Sequence, residues 1–475
     1  MLLFLRKVLF YVLVVVYLFI TPYTILYALG YIFNPSPIAL VKTGLLSIDT
    51  VPSDVTVFVQ GKKFVHRTPT AVRDLLPGRY GVRLFRKGYE PWEKEIGIEQ
   101  EKAMRLKPVV LLPRKFEDEV VSMPRYEGMV PAILDMKIFA WESEGLSSLR
   151  KIDLFFGKET PVGRAIAGER DVEILDVRTK KRSPVILLQI KEDGKKGFLL
   201  LDAGEKSRVR YLDPKTTQDA WLLDWDARKA GSIYLLKDGI LSYAEAGKNG
   251  LNPVIATDVL GFGLRESRLV ILKKDLTLFE ANRHGTNLQP LIFERPFTLG
   301  RIFGADPGKF YRLYALERDF LLFLSDEGEL LSNRPPFHLV AKGVLGIEKA
   351  AHSEEEKVLF WTRDKIGVLH FGEEREAFFT GGDSPNISWV KKPKQAGIYS
   401  GGHHIRQAGW IYDDSHILFA DEDRLYLAET ENEPFHVRPV AEIAKGSRFA
   451  YTEEDRSIYF IDPATRRLIK RKLPN

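Results

Sequence analysis

The sequence predicts a mainly β protein: an N-terminal transmembrane helix, a small β-sandwich and a C-terminal β-propeller of seven or eight blades. Three observations carry this expectation. No charged residue occurs between Val8 and Phe33. From Gly44 to Leu112 the apolar residues then recur with a period of two, that of a strand with one buried face. Through the rest of the chain, apolar runs return at a mean spacing of about 46 residues, the repeat length of multi-strand propeller blades. The expected division is a cytoplasmic tip and helix over 1–33, a linker over 34–43, the sandwich over 44–112 and the propeller over 113–475.

The first element is VLFYVLVVVYLFITPYTILYALGYIF. At about 1.5 Å per residue this run is longer than a bilayer core of about 30 Å. A cleaved signal would have a shorter apolar stretch and a small-x-small site, and Leu26-Tyr27-Ala28 fits that site poorly. The reading is therefore an uncleaved anchor. Pro22 interrupts it, with Thr21 and Thr24 placed to bond freed carbonyls. Tyr23, Tyr27 and Tyr31 fall on one helical face, and Tyr31 and Phe33 suit the interfacial aromatic belt. Arg6 and Lys7 precede the run and only Lys42 follows closely, which predicts a cytoplasmic N-terminus and an extracytoplasmic remainder in the cell membrane. Asn34-Pro35-Ser36-Pro37 reads as a stiff exit.

In the second element Leu46 and Ile48, then Val55, Val57 and Val59, then Tyr80, Val82 and Leu84, then Ile96 and Ile98 alternate with polar or small residues, as in half-buried antiparallel strands. Turn chemistry separates them at Pro52-Ser53-Asp54, Gln60-Gly61-Lys62, Leu76-Pro77-Gly78 and Lys87-Gly88-Tyr89. The series Gly44-Leu-Leu-Ser-Ile, Pro52, Val55-Thr-Val, Gly61, Thr68-Pro69-Thr70, Leu76-Pro77-Gly78-Arg79-Tyr80 and Gly88-Tyr89 resembles the PEGA domain, with Ser53-Asp54 where that family often has Gly-Ala. The resemblance implies a small sandwich of bacterial cell-envelope and surface-layer proteins, often beside a membrane anchor, with no catalytic residues. Trp92 reads as a core residue rather than a sugar-stacking one.

The third element has central apolar runs near Phe139, Leu188, Tyr234, Val270, Leu322, Leu359, Phe419 and Phe460. Hairpin signals such as Lys237-Asp238-Gly239 follow some of them. Its strand rhythm resembles divergent bacterial propellers of the WD40 and TolB types, most clearly at Trp410-Ile-Tyr-Asp-Asp414. The longest gap, holding Gly381-Gly-Asp-Ser-Pro385 and Gly401-Gly-His-His404, reads as a loop insertion. The basic run Arg466 to Lys472 reads as an edge strand, and residues near Glu119-Val-Val-Ser as a strand that completes the last blade.

Composition narrows function by exclusion. With no cysteine the chain has neither disulfides nor thiolate chemistry. The net charge of +6 resides in the anchor and sandwich, leaving the propeller region at −1, so no basic stripe for nucleic acid is expected on the large domain. His403-His404 lacks a third metal ligand at a suitable spacing, and Asp224-Trp225-Asp226, Asp413-Asp414 and Asp421-Glu422-Asp423 lack the spacing of a calcium loop. Asn386-Ile-Ser388 matches a glycosylation acceptor pattern, without meaning in a bacterium. No catalytic, cofactor-binding or metal residues are assigned and no cofactor is expected. The expected function is a membrane-anchored extracytoplasmic binding or scaffold protein whose propeller recognises an envelope protein or polysaccharide. The alternative is an envelope glycan hydrolase or lyase using carboxylates at the propeller mouth.

Overall fold

The computed structural model describes the chain except residues 1, 29, 36–37, 133–135, 144, 164–171, 180–184, 203–208, 213–220, 226–231, 246–252, 266–267, 292–304, 318–319, 334–337, 352–355, 379–385 and 432. It divides into two compact units. One is Met1–Glu117 with Glu431–Pro434 and Leu473–Asn475; the other is Asp118–Thr430 with Phe435–Lys472.

Helix α1 spans Leu2–Ala28 with Pro22 inside it, and Leu9–Ala28 is long and apolar enough to cross a membrane. Thr24 Oγ1 donates to the carbonyls of Ile20 and Thr21 at 2.8 and 2.9 Å; among the described residues Thr21 makes no such bond. The helix stops five residues before the expected end. Gly30, at φ +79°, donates its N–H back to the Tyr27 carbonyl, and Tyr31–Pro35 pairs with Ile38–Lys42 as a β-hairpin. Tyr31 and Phe33 are therefore strand residues, and 34–43 is largely hairpin rather than bare linker. The apolar run is continuous across this boundary, so hydropathy alone could not reveal it.

The sandwich has one three-stranded and one four-stranded sheet. Gly44–Val51 lies between Thr70–Leu75 and Ala103–Val110, and Thr56–Val59 and Gly78–Phe85 lie between Lys62–Arg67 and Trp92–Ile98. The alternating residues Leu46, Ile48, Val55, Val57, Val82, Leu84, Ile96 and Ile98 are all buried in one core together with Trp92. One pairing departs from the antiparallel expectation: Gly44–Val51 runs parallel to Ala103–Val110. A polar knot closes one end of this core. Thr68 Oγ1 lies 2.5 Å from Thr50 Oγ1 and accepts the Val55 N–H at 3.0 Å, with both threonines buried.

The larger unit is built from antiparallel four-stranded sheets, and the described strands make eight such groups. Six stand as separate sheets. The fourth and fifth are joined into one eight-stranded sheet because their first strands, Val259–Arg265 and Tyr311–Glu317, pair in parallel. The eight apolar runs of the sequence are the second strands of these groups: Lys137–Trp141, Val185–Glu192, Ser232–Lys237, Arg268–Lys273, Phe320–Ser325, Glu356–Thr362, His416–Asp421 and Ser457–Ile461. They read as unbroken apolar runs because both faces are buried. In the fifth sheet Leu321 and Phe323 pack towards the fourth, while Phe320 and Leu322 pack towards the sixth.

The succession of sheets returns to its start. Asp118–Ser122 pairs antiparallel with Leu468–Lys472, so the eighth sheet takes its outermost strand from the beginning of the unit. Arg471 Nε and Nη2 clasp Asp118 Oδ1 and Oδ2 at 2.6 and 2.5 Å. Ile138 and Ile152 of the first sheet share a core with Tyr459, Ile461 and Leu468 of the eighth. The basic run 466–472 is thus not an edge, because 118–122 covers it. The expected loop insertion is instead a long hairpin. Lys365–Phe378 pairs with Asn386–Ser400 out to Phe378 and Asn386, seven residues past the last partner of the preceding strand. Residues 381–385 lie outside the described residues.

Glycines set how closely the first strands approach. A Cβ on Gly261 would lie 2.1 Å from the Tyr311 carbonyl oxygen, and one on Gly263 equally close to that of Leu313. Gly261→Ala should lower the melting temperature through an overpacking cost of about 1–3 kcal/mol. Gly397→Ala, with nothing within 4 Å of its added Cβ, should leave it nearly unchanged, and equal melting of the two variants would contradict the tight pairing. In the sandwich, Thr68→Val removes the partner of a buried hydroxyl and a backbone N–H and should cost about 1–3 kcal/mol in denaturant titration.

Candidate functional site

Charged residues on or beside the first strands of non-consecutive sheets come together in the head. Asp176 and Arg178 come from the second sheet, Asp224 from the third, Arg312 and Tyr314 from the fifth, and Arg448 from the segment entering the eighth. A bulge between Ile174 and Asp176 shifts the register of the strand where Asp176 sits.

Asp176 is the hub. Its Oδ1 accepts the Val177 N–H at 2.8 Å and Arg448 Nη2 at 2.9 Å, while Oδ2 lies 3.4 Å from Arg178 Nε. The three side chains remain 37–40% exposed, so water reaches the cluster and screens it. Burial draws the Arg448 guanidinium below its ordinary range; Asp176 opposes that shift and Arg178 reinforces it. At Arg312 burial also works against the charge, but Tyr314, Asp224 and Asp176 together outweigh it and the guanidinium is held above its ordinary range. Arg312 makes no ion pair among the described residues. Asp224 Oδ1 accepts the Trp225 N–H at 2.8 Å. Three guanidiniums thus face two carboxylates. Next to Arg448, the buried Ser447 hydroxyl has no partner among the described residues. Such an arrangement suits recognition of an anionic or hydrogen-bond-accepting group.

The residues singled out in the sequence are elsewhere or otherwise engaged. His403 and His404 present their backbone N–H groups, not their rings, to buried Asp421, at 3.0 and 2.7 Å from Oδ1. No group of three metal-ligating side chains occurs among the described residues. Asp413 and Asp414 lie in a turn whose residues Tyr412, Asp413 and Asp414 all have positive φ. Asp414 Oδ2 accepts the Ala351 N–H at 2.5 Å, tying this turn to the segment leading into Glu356–Thr362. Nearby, burial and then Asp413 push the Glu453 carboxyl up. Asp226 lies outside the described residues. Of all these residues only Asp224 belongs to the axial cluster; Asp176, Arg178, Arg312 and Arg448 had no motif to mark them.

A second feature is a polar recess of about 180 Å³ lined by Arg268, Glu280, Asn282, Asn287 and Gln289. Its groups are largely satisfied internally: Glu280 bridges Arg265 and Arg268, and Asn282 Oδ1 accepts the Thr286 N–H at 2.8 Å.

Residues 43–110 match the PEGA domain. No curated protein matches the chain. Among solved structures, the computationally designed protein Ika8 aligns at 10% identity and a TM-score of 0.43, over 75% of this chain and all of that one. The β-propeller domain of Cps50 (Swd1) from Myceliophteria thermophila aligns at 6% identity and 0.39, over 75% and 100%. YCF48 from Cyanidioschyzon merolae aligns at 12% identity and 0.34, over 64% and 96%.

Asp176→Ala leaves Arg178 and Arg448 without their shared carboxylate and should destabilise the head by about 1 kcal/mol at low salt. The loss should shrink as salt rises, because screening already weakens the wild-type cluster. A denaturation difference independent of salt would show that the three charges are not coupled.

Proposed function

We propose that this chain is a single-pass, membrane-anchored binding or scaffold protein of the bacterial cell envelope, with its β domains outside the cytoplasm. The head recognises a protein or polysaccharide partner through the face where its first strands meet. An apolar helix with Arg6 and Lys7 before it, followed by a PEGA domain, supports the anchored placement. The observation that carries the binding role is the axial cluster: a surplus guanidinium at Arg312, beside Tyr314, among charges from four sheets.

At Asp176 the arrangement does not suit the proton-exchanging carboxyl of a glycan hydrolase. Hydrolysis needs a carboxyl free to exchange a proton with the substrate. Asp176 has both oxygens occupied by guanidiniums and a backbone N–H, so it orients arginines instead.

Proximity labelling with the full chain in its native membrane tests this reading. Arg312→Ala combined with Tyr314→Phe should reduce labelling of the principal partner by roughly tenfold while the melting temperature stays near wild type. Undiminished labelling by a folded variant would place recognition elsewhere.

A further inference from the structure

The first sheet of the head carries a feature that recognition at the axis does not use. Between Arg150–Asp153 and Glu159–Pro161 the chain turns through Leu154-Phe155-Phe156-Gly157. Phe155 and Phe156 are each 78% exposed, with ring centroids 4.9 Å apart and edge to face. Single exposed apolar residues are ordinary; two adjacent phenylalanines at a hairpin tip are not.

This tip is held rather than loose. Asp153 Oδ1 accepts the N–H groups of both Phe155 and Phe156 at 3.0 Å, and the Asp153 carbonyl accepts the Gly157 N–H at 2.9 Å. Gly157 takes a positive φ of 64°, and Leu154 packs into the core shared by the first and eighth sheets. The rings therefore project from a fixed base. Its flanks are basic on balance: Lys151 and Lys158 stand on either side of the tip, Arg150 is held by Glu142 and Glu159 at 3.4 and 3.8 Å, and the Asp153 carboxylate is turned onto the backbone.

We propose that this tip inserts into the interfacial layer of a bilayer containing anionic lipid. Aromatic rings with basic neighbours are the chemistry that the headgroup region accepts. The proposal rests on α1 being a membrane anchor, since tethering raises the local concentration of bilayer so that a two-ring contact suffices.

The chain has no cysteine, so Phe156→Cys supplies a single thiol for an environment-sensitive nitrobenzoxadiazole label. The labelled full chain is reconstituted into phosphatidylcholine vesicles with or without phosphatidylglycerol. Val254→Cys, at an exposed strand residue, serves as the water-facing reference. Flotation with the vesicles reports the anchor; the label reports the tip. A blue-shifted emission at 156, quenched by headgroup-proximal spin-labelled lipid and roughly twofold stronger with phosphatidylglycerol, is expected, and Lys158→Glu should weaken it. Quenching equal to that at 254 in a chain that floats overturns the proposal and leaves the anchor standing. A blue shift without lipid quenching shows a protein pocket around the rings and also overturns it. A chain that fails to float removes the anchor on which the proposal rests.

Discussion

The head depends on one constraint: its sheets share their hydrophobic cores. Seven apolar clusters each join two consecutive sheets, the last of them joining the eighth to the first. The seventh and eighth are joined by polar contacts, with Gln407 Nε2 donating to the Phe449 carbonyl and Gln407 Oε1 accepting the Phe449 N–H. A four-stranded sheet with both faces apolar is not stable in water by itself, so each group is folded only as part of the series. Completion of the eighth sheet by Asp118–Ser122 follows from the same need, since it covers the basic strand that would otherwise be left as an edge.

The axial cluster is a by-product of this packing. The first strands of the fourth and fifth sheets pair directly, and glycines at 261 and 263 permit that close approach. Similar pairings recur where a first-strand glycine faces a tryptophan on the second strand, Gly128 with Trp141 and Gly346 with Trp361. In each, a Cβ would come within 2.2 Å of the indole ring. Charges carried on these strands meet at short range, from residues as far apart in the chain as Asp176 and Arg448.

The parts legible in the sequence are those with a period. The second strands announced themselves as apolar runs, the sandwich as alternation, and Trp92 as core. The axial site has no period, because Asp176, Arg178, Arg312 and Arg448 are single residues on strands that only the fold brings together. The end of α1 is hidden for a different reason: Tyr31, Ile32 and Phe33 serve a β-strand as well as they serve an apolar helix. The long hairpin at 365–400 is hidden in the sequence because the loop chemistry of Gly381-Gly-Asp-Ser-Pro385 and Gly401-Gly402 outweighs the strand pattern around it. The Gly–Trp pairs were visible as letters but not as partners, since nothing local ties Gly128 to Trp141.

The strand at 118–122 also imposes an order on biosynthesis. It leaves the ribosome some 350 residues before the segment it pairs with, Asp118 being joined to Arg471. Until Leu468–Lys472 emerges, the strand at 118–122 has no partner and the core shared by the first and eighth sheets lacks Leu468. The entropic penalty of joining such distant segments grows only slowly with their separation. What the arrangement demands is time, with an unpaired strand waiting beside a chain still being made. Any nascent chain halted before residue 468 leaves the strand at 118–122 unpaired.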